Sequence, residues 1–298
     1  MYILNYSYRN LEEIGFLTNN GEKIIPADEI FKKIGMTTPL NINDFIDISN
    51  DKIIKRINKI INTESLNKIP ISEIRILSPI PYTRRNLICV GKNYSEHVNE
   101  LDTVKELRGN IPSKPIYFSK TSHPTIGPNS DVNVPWDATN EVDYEVELAV
   151  IIGKKCKDVD KKNVENYIFG YTIANDLSAR DLQKGHIQWF KGKSLDNFSP
   201  IGPYILHKSA LKMPFDLKLE CLVNKEVRQS SYTSKMIFDI PYLISDLSKG
   251  MTLYPGDIIL TGTPSGVGMG FNPPRMLKPG DIVECKIEKL GSLKNKII

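Results

Sequence analysis

Apolar residues recur along this chain in short runs, often at every second position, broken by glycine and proline. Alternate residues of a strand share a face. The pattern predicts strands in "NLICVG" (86–91), "PIYFSK" (115–120), "YEVELAVIIG" (144–153), "FGYTIAND" (169–176), "GPYILH" (202–207), "LKLECLVN" (217–224), "GDIILTG" (256–262) and "GDIVECKI" (280–287). The tetrapeptides "YPGD" (254–257) and "KPGD" (278–281) are turn signals, each leading into a strand. One downstream helix is clear, "FDIPYLISDLSKG", closed by a glycine suited to a C-cap. Residues 1–75 predict short strands near 2–8 and 13–17, then helical segments near 27–34 and 42–61. "ILSPIPYTRRN" (76–86) has two prolines two apart and predicts an extended connector. Many strands and few helices, without regular βαβ alternation, imply a β-dominated α+β fold. A boundary near residue 78 divides a small N-terminal α/β domain, 1–78, from a larger one, 79–298.

Composition narrows the function classes. The chain has 298 residues, 40% hydrophobic and 25% charged, which is ordinary for a soluble globular protein. Its net charge of +4 is small and the basic residues are scattered, so no nucleic-acid surface is indicated. No run approaches the roughly 18 apolar residues of a membrane span. The start "MYILNYSYRNLEE" lacks the basic region and apolar core of a signal peptide. Cys89, Cys156, Cys221 and Cys285 lie far apart among apolar residues, as expected of core thiols in a reducing cytoplasm. His97, His123, His186 and His207 show no ligand spacing, which argues against zinc. Any metal here should be hard and held by oxygen.

Chemistry enters at "DYEVELAVIIGK" (143–154). On a strand, Val146, Leu148, Val150 and Ile152 share one face, and Glu145, Glu147, Ala149 and Ile151 the other. The two glutamates then have Cα atoms roughly 6.5–7 Å apart. An isolated Glu-x-Glu is usually a solvated acidic face, but this face runs on into Ala149 and Ile151 and so into an interior. Two partly buried anions repel and lose hydration, and demand a cation. In "FGYTIANDLSARDLQ" (169–183) an apolar strand runs out at Asp176, a third carboxylate. Two glutamates and an aspartate form a hard-cation set, and three carboxylates leave about three positions of a Mg²⁺ octahedron for water or substrate. The same set accommodates Mn²⁺ or Ca²⁺.

Three further stretches are modest taken singly. In "CVGKNYSEHVNE" (89–100), His97 and Glu100 share a side of a helical turn, and a carboxylate beside an imidazole raises its basicity. Leu101, Val104 and Leu107 continue at helical spacing, as a lid or a plain surface helix. "FKGKSLDNFSPIGP" (190–203) puts Lys193 beside a glycine, but Ile187 stands where a P-loop needs its first glycine. "ILTGTPSGVGMG" (259–270) runs from a strand into a glycine-rich loop without a following helix, so it is no dinucleotide fingerprint. Its backbone N–H groups and Thr263 suit a ligand carboxylate.

Together and in this order, "VGKNYSEH", "DYEVELAVIIGK", "NDLSARDLQ", "GKSLDNFSPIGP" and "GDIILTGTPSGVG" resemble the fumarylacetoacetate hydrolase superfamily over roughly residues 80–298. The likeness is to bacterial two-domain members, some of which decarboxylate oxaloacetate. The resemblance implies a mixed β-roll, generally a homodimer. It implies Glu145, Glu147 and Asp176 as ligands of Mg²⁺ or Mn²⁺. His97 and Glu100 become a proton-moving dyad on a mobile segment, Lys193 faces the reacting oxygen, and Arg180, Gln183 and Thr263 hold substrate. The segment from Asp176 to Lys193 is shorter than in some acylpyruvate-cleaving relatives. The implied enzyme acts on a small 2-oxo acid through an enolate. Oxaloacetate decarboxylation or acylpyruvate hydrolysis comes first, isomerisation of an unsaturated 2-hydroxy dioate is an alternative, and so is a ligand-binding regulator that keeps the fold.

Overall fold

The computed structural model describes residues 1–63, 65–101 and 111–298. Every strand predicted from 86 onward forms, and the architecture is strand-dominated and mixed. The larger sheet runs in the order Ile69–Pro70, Lys23–Pro26, Leu11–Leu17, Tyr2–Tyr8, Ile201–His207, Ile168–Asn175, Val146–Ile152, Ile258–Leu260, Leu87–Gly91 and Ile116–Lys120. A smaller sheet runs Glu226–Tyr232, Lys218–Val223, Ile282–Ile287, Gly291–Ile297 and Asp131–Val132. Pairing is antiparallel except between Ile258–Leu260 and Leu87–Gly91 and between Gly291–Ile297 and Asp131–Val132. The strands at 226–232 and 291–297 are additional to those read from the sequence.

The two faces of Val146–Ile152 divide as its alternation requires. Val146, Leu148, Val150 and Ile152 join Leu219, Cys221, Val283, Cys285 and Leu293 in the core between the sheets. Ala149 and Ile151 join a second core on the opposite face, with Phe169, Ile205 and Ile258. Both faces are buried, so a solvated acidic strand is excluded. All four cysteines are buried and free, with Cys221 and Cys285 directly opposite each other on neighbouring strands.

Residues from the N-terminal part close that second core. Tyr2–Tyr8 pairs with Ile201–His207, so the large sheet continues across from residues 1–78. Ala27–Ile34 is helical for local reasons. Pro26 precedes it, Asp28 and Glu29 lie in its first turn, Lys32 and Lys33 in its last, and Gly35 ends it at φ 69°. Its Ile30 and Phe31 face the sheet. The helical stretch expected at 42–61 is two helices, Ile42–Ile48 and Asp51–Thr63. The break falls at Asn50, whose side chain accepts from the backbone N–H groups of Lys52 and Ile53 and so starts a new helix. Phe45 meets Phe16, Phe31 and Phe169 edge-on, which joins the helices to the large sheet. Ile240–Ser248 carries Asp239 as a side-chain N-cap, and Gly250 follows it at φ 73°.

Candidate active site

The acidic residues converge because strand register brings them together. Val146 pairs with Asn175, so Glu145 and Asp176 lie opposite each other one step beyond the last rung. Asn175 Oδ1 accepts the Glu145 N–H (3.0 Å), and Asp176 N–H donates to the Glu145 carbonyl (2.9 Å). Glu147 faces the start of the glycine-rich loop, where the Gly262 N–H donates to its Oε2 at 2.6 Å. Gly262 has φ 97°, and a Cβ there would lie 2.7 Å from Asn93 Cβ, so glycine is required. Ligand atoms of Glu145, Glu147 and Asp176 lie within 4.8 Å of one another, and all three residues are buried.

Cations meet this cluster directly. Lys193 Nζ bridges Glu145 Oε2 (2.8 Å) and Asp176 Oδ2 (2.7 Å). Lys120 Nζ donates to Asp176 Oδ1 (2.6 Å) and to the Leu177 carbonyl (2.8 Å). Arg180 Nη2 lies 2.7 Å from Glu145 Oε1 as an ion pair off the line of a hydrogen bond. Its Nε donates to Asp143 Oδ2 (2.9 Å) and its Nη1 to Gln183 Oε1 (2.9 Å). Lys193 reaches the site because Gly192 lets its short helix, Phe190–Lys193, pack against the preceding one, Arg180–Gly185. A Cβ at 192 would fall 2.6 Å from Gln183 N and 2.7 Å from the Ala179 carbonyl.

The charges do not balance. Four buried carboxylates, Asp143, Glu145, Glu147 and Asp176, face three buried cations, Lys120, Arg180 and Lys193. Burial opposes the Glu145 charge, but Lys193, Arg180 and His97 outweigh it and hold that carboxyl well below its usual range. Burial, Asp176 and Glu145 push the Glu147 carboxyl far up. Burial also lowers Lys120, whereas Asp176 and Glu145 overcome burial and raise Lys193. The acid in excess is Glu147, where a negative charge is held least easily. A divalent cation fits this donor set, since all three groups are hard oxygens. Octahedral oxygens about 2.1 Å from a centre lie about 3–4.2 Å apart, so the set would close slightly around one.

His97 and Glu100 meet as their spacing predicts, on the helix Ser95–Leu101, with Nδ1···Oε2 3.1 Å. The glycine-rich loop holds the other Glu100 oxygen, Gly266 N–H donating to Oε1 at 2.9 Å. A Cβ at Gly270 would lie 2.2 Å from that carboxylate. The loop expected to receive a ligand carboxylate thus binds carboxylates of its own chain, Glu100 and Asp143. The lid read from Leu101, Val104 and Leu107 falls almost wholly on residues 102–110, outside the described residues.

His97, Glu145, Glu147, Arg180, Gln183, Lys193 and Thr263 share one pocket with Lys92 and Trp189. Its volume is ≈ 30 Å³, room for about one water. A roomier pocket of ≈ 440 Å³, near Met213 and Phe215, has no such convergence of acids. Thr263 Oγ donates to the Val146 carbonyl (3.0 Å) and accepts from Gln229 Nε2 (2.8 Å). Residues of the site that went unread in the sequence are Lys120, Asp143 and Gln229, with Lys92 and Trp189 of the pocket lining. Lys120 closes a predicted strand and Asp143 opens the acidic stretch, but their partners lie 56 and 37 residues away.

Comparison with known proteins shows the family of the chain. The family model described as fumarylacetoacetate (FAA) hydrolase C-terminal matches residues 86–298. The chain is 48% identical over 227 residues to oxaloacetate tautomerase YisK of Bacillus subtilis (strain 168), covering 76% of this chain and 74% of that protein. It superposes on the fumarylacetoacetate hydrolase of psychrophilic Exiguobacterium antarcticum with TM-score 0.82 and 34% identity, over 100% of this chain and 99% of the other. It also superposes on 5-carboxymethyl-2-hydroxymuconate delta-isomerase of Mycobacterium smegmatis with TM-score 0.76 and 32% identity, over 100% and 99%. Among the described residues no helix is long and apolar enough to cross a membrane. This chain belongs to the fumarylacetoacetate hydrolase family and is an enzyme of that family.

Proposed function

We propose that the chain moves a proton on a small 2-oxo acid, with keto–enol tautomerisation of oxaloacetate as the leading reaction. The observation that carries this is the His97–Glu100 pair on the rim of a pocket lined by Glu145, Glu147 and Lys193. Glu100, fixed by Gly266, orients the imidazole through Nδ1 and leaves Nε2 as its free proton carrier. Nε2 takes the proton from C3. The C–H electrons form the C2=C3 bond, the carbonyl π electrons move to the C2 oxygen, and the imidazolium returns the proton to that oxygen, giving the enol and restoring neutral His97. Lys193 supplies a buried positive donor for the oxygen on which charge develops. Glu145, Glu147 and Asp176 would hold Mg²⁺ or Mn²⁺, with Ca²⁺ as a substitute. Such an ion, when bound, orients the carboxylate and carbonyl of a 2-oxo acid and stabilises negative charge at the C2 oxygen.

The relative's name, oxaloacetate tautomerase, supports placing tautomerisation ahead of oxaloacetate decarboxylation and acylpyruvate hydrolysis. All three pass through an enolate, and the same residues would serve each. The structural neighbour named as an isomerase supports a second reading, proton shuttling on an unsaturated 2-hydroxy dioate. We take the working form to be a cytoplasmic homodimer, in keeping with the motif resemblance.

The test is a substrate panel. Purified protein with Mg²⁺ or Mn²⁺ is given oxaloacetate, acetylpyruvate, fumarylpyruvate and a hydroxymuconate-type dioate. Ultraviolet absorbance follows the enol, and pyruvate release reports decarboxylation or cleavage. The expected result is rapid enol–keto exchange of oxaloacetate, lost with chelator and in Glu145→Ala. His97→Ala should slow exchange more than it weakens metal binding. Full activity of Glu145→Ala in metal-free buffer overturns the proposal.

A further inference from the structure

The carboxylate of Asp143 lies outside the acidic cluster, yet it touches both halves of the site. Its Oδ1 accepts from Gly268 N–H (2.6 Å), and its Oδ2 accepts from Met269 N–H (3.0 Å) and from Arg180 Nε (2.9 Å). Both oxygens are therefore committed, and the residue is fully buried. On one side, the anchored loop is the one whose Gly266 N–H holds Glu100. On the other, the anchored guanidinium reaches Glu145 Oε1 and Gln183 Oε1. Arg180 donates through Nε and Nη1 to Asp143 and Gln183, and its Nη2 makes an ion pair with Glu145. The structure thus gives it the work of orienting Glu145.

We propose that Asp143 is a positioning residue that joins the seat of the His97–Glu100 pair to the orientation of Glu145. Removing its charge loosens two arms at once. The arm through Arg180 frees Glu145 to turn from the cation site, and outer groups of this kind change metal affinity by about 10–100-fold. The arm through Gly268 and Met269 lets the loop, and Glu100 with it, drift from the pocket. A displacement of about 1 Å at such a group costs about 10²-fold in rate.

The inference rests on the proposed reaction for its kinetic half only. Asp143→Asn keeps the shape of the side chain but puts an amide where two acceptors are needed. Calorimetric titration with Mn²⁺ should show a dissociation constant at least about tenfold weaker than wild type. At saturating Mn²⁺, kcat for oxaloacetate should fall about 10–100-fold with KM within about threefold. Gly268→Ala strains the loop arm first, because its Cβ would meet the Arg275 carbonyl at 2.6 Å and Asp143 Oδ1 at 2.8 Å, whereas Arg180 bonds the other oxygen, Oδ2. It should lower kcat at least about tenfold with Mn²⁺ affinity unchanged, and it decides the matter if Asp143→Asn does not fold. A wild type inactive on oxaloacetate removes the proposed reaction, and the Mn²⁺ comparison still judges Asp143. Asp143→Asn with only a lower melting temperature, its Mn²⁺ affinity and kcat within twofold of wild type, overturns the inference, as does Gly268→Ala with unchanged kcat.

Discussion

Lys193 and Glu147 hold opposite positions in the charge pattern of the site. Lys193 Nζ bridges Glu145 Oε2 and Asp176 Oδ2, on two of the three carboxylates that would hold a divalent ion, and like charges that close repel. Lys193→Met should therefore raise Mn²⁺ affinity, by up to about tenfold (about 1.4 kcal/mol), while removing turnover. Parallel calorimetry and oxaloacetate assays check both halves, and weaker Mn²⁺ binding in the variant would count against competition. Among the described residues Glu147 is the acid of the cluster with no ion-pair contact, and its carboxyl is pushed far up by burial, Asp176 and Glu145. Glu147→Gln should raise the melting temperature of the metal-free protein, because folding no longer has to bury a carboxyl in a site that disfavours its charged form. It should also abolish the further rise that added Mn²⁺ gives to wild type. Thermal scans with and without Mn²⁺ show whether both changes occur.

At the scale of elements, the sequence spoke clearly where one face was apolar and unclearly where partners lay far off. Val146–Ile152 was legible because both its faces feed cores, and the helix at 240–248 because Asp239 and Gly250 bracket it. Glu226–Tyr232 was not, since only two of its seven residues are buried and its polar alternation resembles a loop. The His97–Glu100 contact is local and followed from spacing, whereas the Lys120–Asp176 and Asp143–Arg180 pairs depend on topology. His207, closing Ile201–His207, shows how an element can set pH dependence. Burial first, then Lys208 and the chain amine, hold its pKa down to about 4, and Nδ1 accepts from Ser209 N–H as a neutral ring must. An unfolded histidine titrates near 6.5, so from about pH 6.5 to about 4 the unfolded chain binds more protons. The contribution is fully present above about pH 6.5, falls as pH drops through that window and is gone below about 4. Between pH 7 and pH 5, His207→Gln should lose about 2 kcal/mol less stability than wild type. Urea melts at the two pH values test this, and equal losses would remove His207 as the source.

Across the whole molecule, the question is what residues 1–78 do for the site they do not line. Their strands extend the large sheet from Ile201–His207, and their helices cover the face carrying Ile151, Phe169, Ile205 and Ile258. Re-exposing those four side chains costs about 1.5–3 kcal/mol each, about 6–12 kcal/mol together. Whole domains are stable by only about 5–15 kcal/mol, so that loss is decisive. It would also leave Ile201–His207 as an uncovered sheet edge, a template for aggregation. The Glu145–Asp176 pairing sits on Val146–Ile152 and Ile168–Asn175, the two strands whose rear face would be stripped. A chain beginning at residue 79 should therefore be aggregated or molten, bind a hydrophobic dye, and give no Mn²⁺ heat in calorimetry. Full-length protein should unfold in one calorimetric transition that Mn²⁺ moves upward as a unit. If the 79–298 fragment is instead soluble, unfolds cooperatively and binds Mn²⁺ with full-length affinity, residues 1–78 form a separable domain and the shared core carries little of the stability of the site.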